Sequence, residues 1–264
     1  MTGQPAGSSR FDPAVPSAAR IYDYLLGGKD NYEVDRAAAE KVLAVAPDQR
    51  RLARANRAFV MRAVAVVAGA GVRQFIDLGT GIPTSPSVHE VAARTDPSAR
   101  VVYVDHDPVV QSHNSALLAG DPRVAAVQAD IRQPDAILGH PDLVRLIDFA
   151  QPVGVLCVAV LHLIRDEEEP AGILAQFLER MAPGSYLVVS QFATESDPAG
   201  MAQLRAVADG TPVETYFRST GEIRAFFGGL ELLEPGLVSV DEWRPEGITA
   251  PTRLKIIGGL GRKG

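Results

Sequence analysis

The sequence predicts an α/β protein with a Rossmann-like, doubly wound, seven-stranded sheet whose last strand is antiparallel, preceded by N-terminal helices that form a lid. Three patterns support this fold class. After residue 70, short apolar runs alternate with segments of helical spacing. The first run ends in a turn that contains Gly79 and Gly81. The last two runs follow each other without a helix between them, which is typical of antiparallel neighbours at a sheet edge.

The chain divides into three predicted parts. Residues 1–14 are rich in Gly, Ser, Pro and Ala, so we expect a flexible tail. Residues 15–70 carry apolar residues at helical spacing in three successive segments, which predicts a helical lid or cap. Residues 71–264 form the predicted ligand-binding domain. The alternative for residues 15–70 is a set of ordinary packing helices that cover no pocket.

The three N-terminal helices have recognisable ends. Ser17 is a typical N-cap residue for the first helix, and the glycine pair at 27–28 ends it. The second helix covers about residues 31–46 and is followed by a proline, which cannot continue it. The third covers about residues 47–68 and has the strongest helical periodicity of the three.

The strands of the sheet are predicted from runs rich in Val, Ile, Leu and Ala that are bounded by Gly, Pro or Asp. They cover residues 74–78, 101–104, 125–129, 154–158, 185–190, 230–240 and 253–260. Gly236 marks a break or bulge in the sixth strand. The helices between the strands are predicted at residues 86–93, 108–119, 141–149, 167–181, 199–209 and 219–227.

Composition excludes several classes of protein. The chain has 264 residues, 46% of them hydrophobic, which suits one α/β domain with an appendage. Its net charge of −6 disfavours nucleic acid as a partner, because an acidic surface repels phosphate. One feature points the other way, a cluster of arginines in the third helix. We interpret these arginines as a solvated helix face; they are Arg50, Arg51, Arg54, Arg57 and Arg62.

Cysteine and histidine usage gives further expectations. The single cysteine, Cys157, lies in an apolar run, so we expect a core residue of a protein in the reducing cytoplasm. The five histidines show no metal-binding spacing, and we expect no metal site. The N-terminus does not resemble a signal peptide, and no run reaches the ~18 apolar residues of a membrane span, so we expect no membrane association.

The turn after the first strand carries most of the functional information. Gly79 and Gly81 let the backbone approach a ligand closely, because they lack a Cβ. Asp105 ends the second strand, where its carboxylate can accept hydrogen bonds from both hydroxyls of a ribose. This combination predicts a nucleotide-containing cofactor. The alternative is a tight strand-to-helix turn without a ligand.

The spacing also discriminates between cofactors. The dinucleotide fingerprint has a third glycine, whose place is taken by Thr84, and Pro83 removes one backbone N–H that a pyrophosphate would need. Asp77 lies where it can hold an ammonium group. S-adenosylmethionine carries an ammonium group and a ribose but no phosphate, and it fits the pattern better than NAD. A nicotinamide oxidoreductase is therefore the weaker alternative.

Three motifs give the chain a family resemblance. They are RIYDYLLGGKDNY at residues 20–32, RANR at residues 54–57 and DLGTGIPT at residues 77–84. With them the chain resembles the seven-stranded S-adenosylmethionine-dependent methyltransferases, and more narrowly an uncharacterised family of these enzymes that is abundant in actinobacteria. The resemblance extends from about residue 10 to the end of the chain. It implies that residues 71–264 are the methyltransferase domain.

The resemblance implies a role for each matching residue. Asp77, Gly79, Thr80 and Gly81 would line the methionine end of S-adenosylmethionine. Asp105 would bind its ribose. His106, Asp130 and Ile131 would lie at the adenine, with Asp130 accepting a hydrogen bond from the amino group and Ile131 packing on the ring.

The N-terminal motif and the fourth strand supply further candidates. Tyr22, Lys29 and Asn31 are assigned to cofactor binding, the last two at its carboxylate. The expected acidic or amide residue after the fourth strand is absent, and the polar position falls to His162. We assign His162 as the candidate catalytic base, with a structural histidine as the alternative.

The predicted function is in-line methyl transfer from S-adenosylmethionine to an unidentified small-molecule acceptor, with S-adenosylhomocysteine as the product. The enclosed lid and the negative charge favour a small acceptor. A non-catalytic S-adenosylmethionine-binding regulator or sensor is the alternative.

Overall fold

The computed structural model describes residues 12–264 except 119, 246, 248 and 249. Of the predicted flexible tail, residues 1–11 lie outside the described part. The remaining residues enter a turn in which the Val15 amide donates to the Asp12 carbonyl at 3.2 Å. The division of the chain into a lid and a methyltransferase domain stays a prediction.

Three helices precede the sheet, as the sequence predicts: α1 (Ala18–Leu26), α2 (Glu33–Val45) and α3 (Gln49–Gly69). α1 ends at Gly27, whose φ of 93° is left-handed and favours glycine. Ser17 occupies the N-cap position of α1, but its hydroxyl donates to Asp107 at 2.5 Å instead of capping the helix. The N-terminal end of α1 is thus bound to the loop that directly follows the second strand.

The sheet contains eight strands within the described residues. They are β1 (Gln74–Leu78), β2 (Arg100–Asp105), β3 (Val124–Gln128), β4 (Gly154–Val158), β5 (Tyr186–Phe192), β6 (Glu231–Leu232), β7 (Val238–Ser239) and β8 (Ile256–Arg262). The order across the sheet is β3-β2-β1-β4-β5-β8-β6, and β7 also pairs with β8. β1 to β5 are parallel, whereas β8 is antiparallel to its neighbours. The predicted fold class is confirmed.

The predicted sixth strand is split into β6 and β7, which lie along the same edge of β8. Between them the amide of Gly236 donates to the Leu233 carbonyl at 2.8 Å, and Gly236 has a φ of 84°. A turn of this kind takes the chain out of the ladder for a few residues, so the break expected at Gly236 is confirmed.

Helices cover both faces of the sheet. They are α4 (Val88–Thr95), α5 (Pro108–Leu117), α6 (Pro134–Leu138), α7 (Pro141–Leu146), α8 (Pro170–Arg180), α9 (Pro198–Ala208) and α10 (Thr220–Ala225), with 3₁₀ turns at Leu161–Leu163 and Asp166–Glu168. α6 is not predicted by the sequence, because five residues are too few to show helical periodicity.

Alternate residues of the strands enter two separate cores. Phe75 and Leu156 belong to the core on the α3 side, where Phe59 packs edge-on against Trp243 at 5.3 Å. Ile76 and Cys157 belong to the core on the other side. Cys157 is therefore buried among apolar side chains, as predicted. A third, smaller apolar cluster joins α1 and α2 to α3.

The arginines of α3 are not a simple solvated face. Four of the five bind backbone carbonyls of other segments: Arg50 binds Tyr24, Arg51 binds Pro251, Arg57 binds Thr84 and Pro86, and Arg62 binds Val240 and Trp243. Arg51 and Arg54 are the two exposed members of this cluster, and the other three are half-buried. The arginines join the helix to the N-terminal and C-terminal segments, and the expectation of a free polar face was wrong for them.

Candidate functional site

The turn that follows β1 is fixed by hydrogen bonds to β2. The amides of Gly79 and Thr80 both donate to the Val104 carbonyl, at 2.8 and 3.2 Å. The Gly81 amide donates to the Asp105 carboxylate at 2.9 Å. Three successive amides are thus already engaged within the protein, and none of them is left for a pyrophosphate. This geometry disfavours a dinucleotide for a stronger reason than the missing third glycine does.

Glycine is needed at the two positions of this turn for different physical reasons. Both have a φ of 68°, a conformation that L-residues with a Cβ rarely adopt. A Cβ on Gly79 would lie 2.2 Å from the Cγ2 of Val160, so Gly79 allows the loop after β4 to pack closely. A Cβ on Gly81 would meet nothing within 4 Å. The space beside Gly81 is open, and Gly81 lines the cavity described below.

Asp105 is buried at the end of β2 and held by two amides. One carboxylate oxygen accepts from Gly81 at 2.9 Å and the other from Asp107 at 3.0 Å. Burial raises the pKa of Asp105, while these amides and nearby His106 act in the opposite direction. The carboxylate is therefore fixed in orientation, and each oxygen keeps capacity for a further donor from the cavity.

Asp77 is the second-last residue of β1 and lies close enough to Asp105 for the charge of Asp105 to affect its pKa. Burial raises the pKa of Asp77 to about 6, the Arg57 guanidinium and the Thr80 hydroxyl lower it, and the charge of Asp105 raises it. Two buried carboxylates so close together repel each other. A cation bound between the strand ends would relieve this repulsion and lower the pKa of both groups.

These residues open onto a cavity of about 480 Å³, within the ~300–1,000 Å³ typical of small-molecule sites. We call its polar side at the strand ends the floor; it is formed by Asp77, Gly79, Thr80, Gly81, Asp105 and His106. We call the opposite, apolar side the roof; it is formed largely by Ile21 and Leu25 of α1, Val34 and Val42 of α2, and Leu204 and Val207 of α9. Helices from two distant parts of the chain therefore enclose one site.

The structure brings eight of the predicted site residues to this cavity, namely the six residues of the floor together with Tyr22 and His162. The other four do not appear among the described lining residues. Asp130 accepts from Arg132, with a shortest distance of 2.6 Å, and Ile131 lies in the core. Asn31 donates to Asp23 at 2.8 Å, and Lys29 is exposed in the loop between α1 and α2.

The N-terminal motif anchors α1 and α2 through buried charges. Arg20 is 2% exposed and pairs with Asp35 at 2.7 Å, while a second nitrogen lies 3.5 Å from Asp107. Asp35 also accepts from the amides of Ser17 and Tyr32. The charged network that attaches the roof thus ends at Asp107, in the loop directly after β2 and two residues beyond Asp105.

One residue of the motif, Asp23, orders the loop between α1 and α2 by hydrogen bonds. Asp23 accepts from the Asp30 amide at 3.0 Å and from the Asn31 side chain at 2.8 Å. A Cβ on Gly28 would lie 1.9 Å from the Asp23 carboxylate, so only glycine fits at this position. The glycine pair is therefore more than a helix end, since Gly28 makes room for the carboxylate that orders the loop.

A chain of hydrogen bonds connects α1 to the strand ends. Tyr22 donates to the Ala53 carbonyl at 2.9 Å and accepts from Asn56 at 3.0 Å. Asn56 in turn accepts from Ser190 at 2.7 Å, and Ser190 accepts from the amide of Ala159 at 3.0 Å. Burial raises the pKa of Tyr22. Its hydroxyl is a neutral donor already in use, so Tyr22 is no candidate for a base.

His162 lies in the first 3₁₀ turn after β4 and is 7% exposed. Its ring packs against Phe192 with centroids 4.7 Å apart, and its Nδ1 is buried without a hydrogen-bond partner. Burial, with a smaller effect of Arg218, lowers the pKa of His162 to about 3. The ring is therefore neutral at physiological pH and a poor proton acceptor.

Sequence reasoning did not assign Asn56 and Arg57 to the site itself. Both line the cavity, and Arg57 also donates to the carbonyls of Thr84 and Pro86, at 2.7 and 2.6 Å. The RANR motif was the available signal, but it served only the family resemblance, and Arg57 was interpreted as part of a solvated helix face. No local sequence pattern indicated that α9 lines the cavity, because its position depends on contacts between distant segments.

The described residues contain no group of three or more His, Cys, Asp or Glu side chains that could hold a metal ion. Among the helices of the described part, none has the length and apolarity needed to cross a membrane.

Comparison with known proteins identifies the family of the chain. The model of the S-adenosyl methyltransferase family matches residues 4–264. The chain belongs to this family. It is accordingly an enzyme, an S-adenosylmethionine-dependent methyltransferase, and the resemblance stated from its motifs is confirmed. The nicotinamide oxidoreductase alternative is wrong. No curated protein matches the chain.

Two solved structures are similar to this methyltransferase over nearly its whole length. A protein from Thermobifida fusca assigned as a methyltransferase is 41% identical with a TM-score of 0.90, covering 95% of this chain and 96% of that one. A DUF574 family protein from Streptomyces avermitilis is 40% identical with a TM-score of 0.90, covering 95% of this chain and 98% of that one. Neither description names an acceptor.

Proposed function

We propose that this methyltransferase binds S-adenosylmethionine on the floor of the cavity and transfers its methyl group to a small-molecule acceptor held against the roof. The observation that carries the proposal is the placement of Asp77 and Asp105 near the C-terminal ends of adjacent strands, where both line the same cavity as Gly81. A cofactor with a cationic end and a ribose satisfies both carboxylates at once.

The residues present fit this cofactor. Asp105 has two oriented oxygens for the two ribose hydroxyls, each of which donates a hydrogen bond. Asp77 is a buried carboxylate whose ionisation is disfavoured without a cation, and the cofactor's ammonium supplies one. The amides of the glycine turn are engaged, which suits a ligand without phosphate.

In this proposal Arg57 is a further residue that binds the methionine end of the cofactor. Its positive charge reaches Asp77, since it lowers the pKa of that group, and its side chain lines the cavity. A guanidinium next to a carboxylate binds an amino acid at both of its charged groups. We therefore assign the cofactor's carboxylate to Arg57, in addition to the earlier candidates Lys29 and Asn31.

At the adenine end we keep His106, Asp130 and Ile131 as candidates. His106 is 68% exposed and borders the cavity, so this end is open to solvent. Asp130 is held by Arg132 through bonds of 2.6 to 3.0 Å. It would reach the adenine amino group only by exchanging one of these bonds. We rank Asp130 below Asp105 for this reason.

The roof supports a small acceptor. α1, α2 and α9 close over the floor, and their cavity-facing side chains are almost all aliphatic. Such an enclosure excludes water and holds the acceptor in line with the methyl group. S-adenosylmethionine, when bound, supplies a methyl group activated by a positively charged sulfur. The chain's own residues have to align the acceptor and exclude water.

The test is a calorimetric titration of the full-length protein with S-adenosylmethionine and, separately, with NAD⁺. We expect saturable binding of the first and none of the second. Incubation with a methyl-labelled cofactor and an extract of small molecules, with S-adenosylhomocysteine measured by mass spectrometry, then tests turnover. Binding of NAD⁺ in preference to S-adenosylmethionine would overturn the proposal.

A further inference from the structure

His162 is a polar group placed among apolar side chains at the cavity. Its neighbours on the cavity wall include Val160, Leu163 and Phe192. Nδ1 is buried without a partner and Nε2 is not among such atoms, and the residue lines the cavity, so we assign Nε2 to the cavity side. A neutral imidazole carries one N–H, and the proton is more favourable on the nitrogen that a hydrogen-bond acceptor can approach. We therefore place the proton on Nε2.

No other described side chain near this ring is suited to remove a proton from an acceptor. The titratable groups that line the cavity besides His162 are Tyr22, Lys41, Arg57, Asp77, Asp105 and His106. Tyr22 donates to the Ala53 carbonyl, and Asp77 and Asp105 belong to the cofactor in the proposed function. Lys41 and His106 are exposed. Arg57 has no lone pair to offer.

We propose that the acceptor is an apolar organic acid, a carboxylate or an acidic phenol or enol, whose anionic oxygen receives the methyl group while the Nε2–H of His162 donates a hydrogen bond to that oxygen. This inference rests on the proposed function and specifies its acceptor. His162 thus acts as an acceptor-binding residue rather than as a base.

The transfer balances without a base. A lone pair of the acceptor oxygen forms the new O–CH₃ bond while the S–CH₃ bond breaks and its electron pair stays on sulfur. An anion and a cation give two uncharged centres, the methyl ester or ether and the thioether of S-adenosylhomocysteine. No proton has to leave the enclosed site.

The charges of the site favour this class of acceptor. A buried anion is costly unless it meets a cation and a hydrogen-bond donor. The sulfonium and the His162 N–H provide both. An ammonium acceptor would instead meet the like charge of the sulfonium and no carboxylate on the roof, where Lys41 is the charged residue among the described lining side chains.

The experiment measures binding to the full-length protein saturated with sinefungin, an analogue that carries an ammonium in place of the sulfonium. The probes are 1-naphthoate, 2-naphthoate and 4-nitrophenol, each compared with an amine of the same skeleton by calorimetry. We expect at least one acid to bind about tenfold or more tightly than its amine. The acid should lose affinity when S-adenosylhomocysteine, which lacks the charge, replaces sinefungin.

Two variants then locate the donor. His162→Ala should weaken the acid about tenfold or more, and His162→Asn, which keeps an N–H but has no basic nitrogen, should recover most of the loss. His140→Asn, at the N-cap of α7 and outside the cavity lining, is the matched control and should leave acid binding unchanged. Sinefungin binding by each variant shows that the site is still folded.

The outcomes separate the two proposals. If sinefungin and S-adenosylmethionine do not bind to the unaltered protein, the proposed function fails. If sinefungin binds but no acid binds more tightly than its amine, or if His162→Asn is as impaired as His162→Ala, the present inference is overturned and the proposed function stands.

Discussion

The floor and the roof of the cavity are built in opposite ways. The floor takes its shape from short-range contacts between two adjacent strand ends, with Val104 and Asp105 accepting from three successive amides of the glycine turn. The roof consists of helices brought together from residues 18–45 and 198–208, whose cavity faces are aliphatic. In the proposed function, the floor therefore specifies the cofactor by directed hydrogen bonds, and the roof selects the acceptor by shape and polarity.

The two regions also differ in how they are attached. The floor is part of a parallel sheet buried on both faces. The roof's first helix is attached by buried charges, with Arg20, Asp35 and Asp107 in one network. Removing one partner of a buried ion pair is costly, because it leaves an uncompensated buried charge. The comparison predicts that the roof is lost before the floor when its anchor is removed.

The largest expected effect is on the anchor of the roof. Arg20→Ala leaves the carboxylate of Asp35, which is 0% exposed, without its cation. We expect a loss of ~3–5 kcal/mol in the free energy of unfolding, measured by urea denaturation. Arg36→Ala, on the exposed face of α2, is the control and should change it by less than ~0.5 kcal/mol. An Arg20→Ala protein as stable as the control would contradict the account of the anchor.

The next effect concerns the ribose site on the floor. Asp105→Ala removes two oriented oxygens, and hydrogen bonds to a charged group contribute ~1.5–3 kcal/mol each. We expect S-adenosylmethionine to bind ~100-fold or more weakly in a calorimetric titration. Asp135→Asn, an exposed aspartate on α6, should bind normally. If Asp105→Ala binds like the unaltered protein, the ribose assignment is wrong.

The pH dependence of cofactor binding tests Asp77. Burial raises the pKa of this carboxyl to about 6 in the empty site. The neutral acid cannot pair with an ammonium, so affinity should be full above this value and fall as the pH drops through it. Between pH 7 and pH 5 the loss should approach ~10-fold. Asp77→Asn should bind weakly and show a flat profile over this range; a matching slope in the variant would exclude Asp77 as its source.

The smallest effect is expected in the loop after β4. Ala159 has a φ of 57°, in the left-handed region, and its amide donates to Ser190. Ala159→Gly relieves backbone strain of ~1 kcal/mol but gives the unfolded chain a similar gain in entropy. We expect the free energy of unfolding to change by less than ~0.5 kcal/mol. A clear loss of cofactor binding in this variant would show that the methyl group of Ala159 contacts the ligand.

The floor was predictable from the sequence because its determinants are local. Asp77, Gly79, Gly81 and Asp105 lie at the ends of two consecutive strands, and parallel strands bring such ends together. The periodicity of α1, α2 and α3 likewise predicted three helices before the sheet. Spacing alone was enough in these cases.

The remaining properties depend on contacts between distant segments. The low pKa of His162 follows from its burial and from Arg218, which no local pattern connects to it. The contribution of α9 to the roof follows from its packing against α2. The arginines of α3 show the same point, since their carbonyl partners come from the glycine turn and from the C-terminal segment.

The most direct test of the central claim is a crystal structure of the protein with S-adenosylhomocysteine. The account predicts the ribose hydroxyls within ~2.6–3.2 Å of the Asp105 carboxylate, and the amino group at the same range from Asp77. Density for the nucleoside elsewhere, or a cavity closed by the side chains of α1 with both carboxylates unengaged, would contradict it.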